Sequence, residues 1–318
     1  MDELRLFSGL ANRELSERIS AHLGVPLGKM TVSSFSDGEI SVKIDESARG
    51  QDIFLIQPTC RPINDNLVQL LIMVDAFRRA SARRITVVMP YYGYARQDKK
   101  VKPREPITAR MIANIITNAG ANRVLTLDLH AGQIQGFFDI PVDHLTAGPL
   151  IADEILRLGL RTDDTVVVSP DVGGVTRARA LAERIDTPIA IIAKRRPAAN
   201  QVEIMEIIGD IQGKVCLMID DMIDTGGSIV QGAEKLIQRG AREVHACCTH
   251  GVLSGEAIPR IQASVLSSLL TTDSIPLPDD LNAPKIRVIS VAPLLADAID
   301  RIHRGDSVSV LFQRFGTY

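Results

Sequence analysis

Short apolar runs, rich in β-branched residues and each closed by Asp, Gly or Pro, alternate along this chain with longer stretches whose apolar residues return at helical spacing. Continuous apolar runs of strand length fit strands buried on both faces. Parallel strands also need crossover connections, which place helices over the sheet. The pattern therefore predicts an α/β chain. In the first half, Asp52–Gln57, Arg84–Met89 and Arg123–Leu127 predict strands. Between them the spacing predicts helices over Asn64–Ala82, capped by Asn64, and over Pro106–Ala119, with its proline in the opening turn. In the second half, Thr165–Ser169, Pro188–Ala193, Val215–Ile219, Glu243–Thr249 and Lys285–Val291 predict strands. Helical spacing fills Ala147–Leu158, Gly174–Ile185, Gly227–Arg239, Ser254–Ser264 and Ala292–Arg304. The two halves repeat one plan, with a seam at Thr146–Pro149. Two domains follow, 1–146 and 147–304, with a tail at 305–318 that is expected to pack back onto the first. An Asp37-Gly38 turn between the alternating stretches Met30–Phe35 and Glu39–Ile44 predicts a projecting β-hairpin.

The charge balance narrows the function classes. The 36 Lys and Arg face 38 Asp and Glu, a formal charge of −2, which provides no global field for nucleic acid. Chemistry has to come from local clusters. The 318 residues accommodate two domains of about 150 residues. With 45% hydrophobic residues the chain can build cores, which excludes disorder. Apolar runs such as Pro188–Ala193 and Val215–Ile219 fall far short of the ~18 residues of a spanning helix, so no membrane partner is expected. The acids Asp2 and Glu3 lie where an export signal carries positive charge. Cys60, Cys216, Cys247 and Cys248 lack zinc-ligand spacing and read as reduced thiols of a cytoplasmic protein.

The densest chemistry lies in Val215–Ser228, where an apolar strand runs into Asp220, Asp221 and Asp224 and then Thr225-Gly226-Gly227-Ser228 before a helix. With no bulky side chains, the backbone N–H groups of 225–228 can close around a phosphate, and the positive end of the helix adds attraction. Thr225 and Ser228 supply hydroxyl donors. Asp220 and Asp221 cannot hold a phosphate, so their partners are hydroxyl groups or a divalent cation carried by the same ligand. A sugar phosphate meets both demands. This run is similar to the phosphoribosyl-diphosphate fingerprint shared by type I phosphoribosyltransferases and ribose-phosphate diphosphokinases.

A second cluster, Asp128–Asp139 followed by Pro141, Asp143 and His144, brings acids and imidazoles to the end of another apolar run. In an extended chain Asp128 and His130 would share a face and could meet one metal ion or its waters. The stretch closely resembles the signature of the ribose-phosphate diphosphokinases of class I type, which the transferases lack. Further matches run from Leu6–Gly9 to Ser307–Phe312.

That resemblance implies two similar domains of the type I phosphoribosyltransferase-like fold. It implies transfer of the diphosphoryl group of ATP to the anomeric hydroxyl of ribose 5-phosphate, with Mg2+. It further implies a homohexamer built from dimers, with the hairpin reaching a neighbouring subunit's site. The hairpin tip, Phe35, Asp37, Gly38 and Glu39, could stack a purine and accept from its amino group, and it matches the family's adenine-bordering loop. Tyr91, Tyr92 and Tyr94, three of the four tyrosines, together with the basic run to Arg104, suit stacking and anion attraction. Arg96 and Gln97 match the family's ATP contacts. Lys100, Arg104, Ser47, Arg49 and Ser307–Phe312 match regions tied to an effector, inorganic phosphate.

Asp171, at the end of the run Val166–Ser169 and before Gly173-Gly174, is expected to coordinate Mg2+ or the ribose, or else to cap the next helix. Lys194, Arg195 and Arg196 followed by Pro197-Ala198-Ala199 read as a lid. Lys194 and Arg196 are expected on one side as catalytic cations meeting the developing phosphoryl charge, and Arg195 as structural. The resemblance also puts Arg196 on ribose 5-phosphate. Ser228 stands where threonine is frequent and Val172 where some members have histidine; both departures are expected to be silent. An inactive regulatory relative of the synthetase is one competing reading, though such relatives carry an interrupted lid. A phosphoribosyltransferase is another.

Overall fold

The computed structural model describes residues 3–195, 204–278 and 282–311, with the backbone alone at 194, 195, 204 and 205. It divides into two compact units. The first holds the chain up to Thr146 together with 274–276 and 290–311, and the second holds 147–273 and 277–289.

The first unit opens with β1 (Leu4–Ser8) and α1 (Arg13–Leu23), then β2 (Met30–Ser34) and β3 (Ile40–Ile44). It continues through β4 (Asp52–Ile56), α2 (Ile63–Arg79), β5 (Arg84–Met89), α3 (Thr108–Ala119), β6 (Arg123–Leu127) and β7 (Val142–Leu145). Five of these strands form one parallel sheet in the order β1-β4-β5-β6-β7. All five residues of β4 are buried, as a central strand covered on both faces demands. β2 and β3 make the antiparallel hairpin, Met30 opposite Ile44 and Ser34 opposite Ile40. Val32 and Val42 pack on the core, so the base of the hairpin is anchored and only its tip projects.

The second unit runs through α4 (Gly148–Arg157), β8 (Thr165–Ser169), α5 (Val175–Arg184), β9 (Ile189–Arg195), β10 (Ile204–Ile208) and β11 (Val215–Ile223). It ends with α6 (Gly227–Gln238), β12 (Glu243–Gly251), α7 (Ala257–Ala263), β13 (Ser268–Thr272) and β14 (Ile286–Ile289). Among the described residues its strands are ordered β10-β9-β8-β11-β12-β13-β14, parallel except that β10 lies antiparallel on β9. In β8 the side chains of Val166, Val167 and Val168 are 0% exposed; at roughly 1.5–3 kcal/mol each, they make the strand a rigid base for the loop that follows.

Three expectations need correction. Residues 290–304, placed by sequence in the second domain, belong to the first unit. There α8 (Ala292–Arg304) sets His303 Nδ1 2.8 Å from the buried carboxylate of Asp52, which Arg84 Nε also holds at 2.8 Å. Of the tail, 305–311 lie in the first unit and 312–318 outside the described residues. Asn64 does not cap α2. That helix starts at Ile63, with Pro62 in the cap position, and Asn64 Oδ1 accepts from the Tyr94 hydroxyl. Pro106 precedes α3, whose first residue is Thr108.

Candidate functional site

The acid-rich stretch after Val215 begins inside a strand. β11 continues past Ile219 because β12 keeps pairing with it, Asp220 opposite Cys248 and Ile223 opposite Gly251. β8, on the other side, pairs only as far as Met218. Asp220 and Asp221 therefore sit on the part of β11 that has outrun one neighbour, and they are further from the loop than the sequence predicts. The side chain of Asp220 is 30% exposed and that of Asp221 only 5%.

Beyond β11 the chain turns through Asp224, Thr225 and Gly226 into α6. Gly226 adopts φ +74°, in the left-handed region; its Cβ would have room, so conformation and not space calls for glycine. No side chain among the described residues caps α6, and its first turn holds no acid. The Asp224 carbonyl accepts from Ser254 N–H at 3.0 Å, and the Thr225 carbonyl accepts from Arg260. With these oxygens engaged and the Thr225 and Ser228 side chains exposed, the loop offers donors and a positive helix end. An anion carrying several oxygens suits it.

The loop between β8 and α5 is held by its own acid. Ser169 Oγ donates to the Asp171 carbonyl at 2.6 Å, and Asp171 Oδ1 accepts from Gly174 N–H at 2.8 Å. Asp171 thus braces its loop from an exposed position and leaves Oδ2 for another partner. Val172 beside it is 70% exposed. Along α5, Arg177 reaches back to β11, with Nη1 3.1 Å from Asp220 Oδ1 and Nη2 3.4 Å from Asp221 Oδ1. Sequence reasoning missed Arg177 because no local pattern ties it to acids 43 residues away. Burial above all, then the hydrogen bond and charge of Asp221, pushes the Asp220 carboxyl up to about 7 against the opposing pull of Arg177.

In the first unit the hairpin tip is open. Phe35 is 60% exposed, and Asp37, Gly38 and Glu39 are exposed with it. The turn is fixed by Glu39 N–H donating to Asp37 Oδ1 at 3.1 Å, with Gly38 at φ +94°. Two of the three tyrosines, Tyr91 and Tyr92, do not offer the stacking platform expected of them. Tyr91 and Tyr92 are 5% and 2% exposed, and the Tyr92 hydroxyl donates to the Ala109 carbonyl at 2.7 Å. Burial raises that phenol's pKa. Exposed positions on this loop include Arg96, Gln97, Lys99, Lys100, Lys102 and Arg104, though Gln97 Oε1 also accepts from Thr108 Oγ1 at 2.5 Å. Ser47 and Arg49 are exposed too.

Asp128 and His130 do not lie along an extended chain. Asp128 turns at φ +31° and is buried, while His130 is exposed, so the shared face inferred from spacing two apart is lost. The turn is fastened by Leu129 N–H, which donates to His144 Nε2 at 2.9 Å and so fixes that imidazole's tautomer. Among the described residues, no three His, Cys, Asp or Glu side chains converge on a point suited to a metal ion. Magnesium seldom uses such a cage; it binds through one or two carboxylates plus substrate phosphates and water, and Asp171 with one carboxylate oxygen to offer fits that manner of binding.

β9 runs two residues past the predicted end at Ala193, so the backbone of Lys194 lies in the strand, opposite Met205 on β10. Arg196 lies outside the described residues. No helix among the described residues is long and apolar enough to cross a membrane. Cys60, Cys216, Cys247 and Cys248 are free and buried, and burial raises the pKa of each thiol.

Two family descriptions match this chain: the N-terminal domain of ribose phosphate pyrophosphokinase over residues 4–120, and the phosphoribosyl synthetase-associated domain over 193–313. A ribose-phosphate pyrophosphokinase of Caldanaerobacter subterraneus subsp. tengcongensis is 57% identical over 311 residues, 98% of each chain. Ribose-phosphate pyrophosphokinase 2 of Enterococcus faecalis is 59% identical over 310 residues, 98% of this chain and 96% of its own. Among solved structures, the phosphoribosylpyrophosphate synthetase of Mycobacterium smegmatis superposes with a TM-score of 0.91 at 42% identity, over 96% of this chain and 100% of that one.

Proposed function

This chain belongs to the ribose-phosphate pyrophosphokinase family, and from that premise we propose how its residues divide the work. The enzyme transfers the diphosphoryl group of ATP to the anomeric hydroxyl of ribose 5-phosphate, giving 5-phosphoribosyl 1-diphosphate and AMP. The observation that carries the assignment of residues is the loop after β11: a left-handed Gly226, an uncapped helix start and two flanking carboxylates, all in one stretch of chain.

The phosphate of ribose 5-phosphate sits on Asp224–Ser228, where backbone N–H groups and the hydroxyls of Thr225 and Ser228 donate to it. The Asp220 carboxylate accepts from the sugar hydroxyls, and Asp221, nearly covered beside it, helps to fix its position. ATP is held by Phe35, Asp37, Gly38 and Glu39 at the base and by Arg96 and Gln97 along its polar length. The anomeric oxygen attacks the β-phosphorus in line; the new bond joins O1 to Pβ, and the bond from Pβ to the bridging oxygen breaks, leaving that oxygen on AMP. The hydroxyl proton passes to solvent, since a loose transition state needs little help from a base. Lys194 and Arg196 meet the charge that spreads over the transferring oxygens. Within the second unit, Asp171 is the group that would hold Mg2+. When bound, that ion offsets phosphate charge.

Inorganic phosphate acts as an activator at Ser47, Arg49, Lys100 and Arg104, and the enzyme works in the cytoplasm as a homohexamer built from dimers. The test is AMP release from ATP by the purified chain with and without ribose 5-phosphate. Strict dependence on the sugar phosphate is expected. Lys194→Ala should lower kcat by about 100-fold, in the range of a lost transition-state donor, and full turnover in that variant would remove Lys194 from the mechanism.

A further inference from the structure

Three groups in the second unit share one ion-pair system: Arg177 on α5, and Asp220 and Asp221 on β11. Consecutive strand residues normally face opposite sides of a sheet. Here both carboxylates meet one guanidinium, and Asp221 N–H donates to Asp220 Oδ1 at 2.8 Å, so the backbone and Arg177 act together to turn the pair. With both acids ionised, two carboxylates against one cation leave an excess of one negative charge on three groups. Asp221 is almost wholly covered, so the carboxylate that remains available to a ligand is that of Asp220. Arg177 also stands six residues from Asp171, on the helix whose start carries the Asp171 hydrogen bond to Gly174. The helix that carries Arg177 is therefore tied at its start to the loop that follows β8 and, through the guanidinium, to the acid pair that precedes the α6 loop.

We propose that Arg177 is a positioning residue for ribose 5-phosphate, holding the Asp220 carboxylate in the orientation that accepts from the sugar hydroxyls. This rests on the assignment of Asp220 to the sugar and refines it. Without the guanidinium the two adjacent carboxylates repel and Asp220 turns away, so the loss falls on sugar binding and not on the nucleotide or on the transfer step. A planar fork is required, because a lysine ammonium is a point charge that satisfies one carboxylate at a time.

The experiment is steady-state kinetics of Arg177→Met and Arg177→Lys in the full-length enzyme, each also made in the Asp220→Asn background. Arg177→Met is expected to raise the KM for ribose 5-phosphate about tenfold, as loss of a charge-assisted pair would, with kcat and the KM for ATP within about twofold. Arg177→Lys should fall between wild type and methionine. In the Asp220→Asn background the effect of Arg177→Met on that KM should vanish, since the group it positions is gone; a bracing role in the fold would leave the effect unchanged. A raised KM for ATP, a fall confined to kcat, or additive losses in the double variant would each overturn the proposal. Should the methionine variant not fold, the lysine variant decides: an unchanged KM for ribose 5-phosphate overturns it. Failure of the assignment itself would look different, as a wild-type enzyme whose ribose 5-phosphate KM does not respond to Asp220→Asn.

Discussion

The loop after β5 and the loop after β11 leave parallel strands and lead into helices, yet they are finished in opposite ways. After β5, polar and aromatic groups bind the scaffold: Tyr92 to the Ala109 carbonyl, Asp98 Oδ2 to Gln133 Nε2 at 2.9 Å, and Gly93 N–H to Thr59 Oγ1 at 2.7 Å. After β11, the side chains of Thr225 and Ser228 stay exposed and no side chain among the described residues caps the helix that follows. A loop rich in tyrosine and amide groups is tied into the scaffold beneath a basic exposed rim, while a loop of small residues is the one proposed as the cradle. Chemical richness in the sequence is thus a poorer guide to a candidate binding loop than exposed hydroxyl groups beside a helix start.

Several substitutions can break or sharpen that contrast. The largest effect is expected from Gly226→Val, because a β-branched residue at φ +74° is strained by about 1–3 kcal/mol and the strain has to deform the cradle. Ribose 5-phosphate affinity, measured by calorimetry, should fall by up to about 100-fold while ATP affinity is retained. A normal affinity would show that the left-handed turn is not needed. In the other loop, Tyr92→Phe removes a buried hydrogen bond worth about 0.5–1.5 kcal/mol and should lower the melting temperature by about 2–5 °C, leaving the KM for ATP unchanged. A raised KM with unchanged melting would restore the tyrosine to the nucleotide site.

The smallest effect concerns pH. The Asp220 carboxyl loses its proton near 3.8 when exposed and only near 7 in the folded chain. Between those values the folded state keeps a proton that the unfolded state releases. Stability attributable to this group therefore declines as pH rises from 4 to 7 and is level above that. Asp220→Asn should then melt about 2 °C above wild type at pH 8 and close to wild type at pH 4. Equal shifts at both pH values would contradict the raised titration.

What could be read from the sequence follows from the same physics. Arg84–Met89, Arg123–Leu127 and Thr165–Ser169 are strands over the predicted residues because a strand covered on both faces is an uninterrupted apolar run. β1 was hidden by Arg5 in its middle, β13 by its Ser and Thr residues, and α1 by a face of only Leu15, Ser16 and Ile19. Asn12 does cap α1, accepting from Leu15 N–H at 3.1 Å, and with Gly24 at φ +66° it marks both ends of a helix whose apolar spacing is weak. The site shows a parallel split. The 224–228 loop is contiguous and legible, whereas Arg177 acts across 43 residues, and the positive φ of Asp128 cannot be inferred from spacing alone.

The most direct test is a crystal structure of the enzyme grown with ribose 5-phosphate. The account predicts the sugar's phosphate within about 3 Å of the Thr225 and Ser228 hydroxyls and the N–H groups at the start of α6, with a ring hydroxyl at the same distance from Asp220. A phosphate bound elsewhere, with residues 224–228 facing solvent or protein alone, would contradict it.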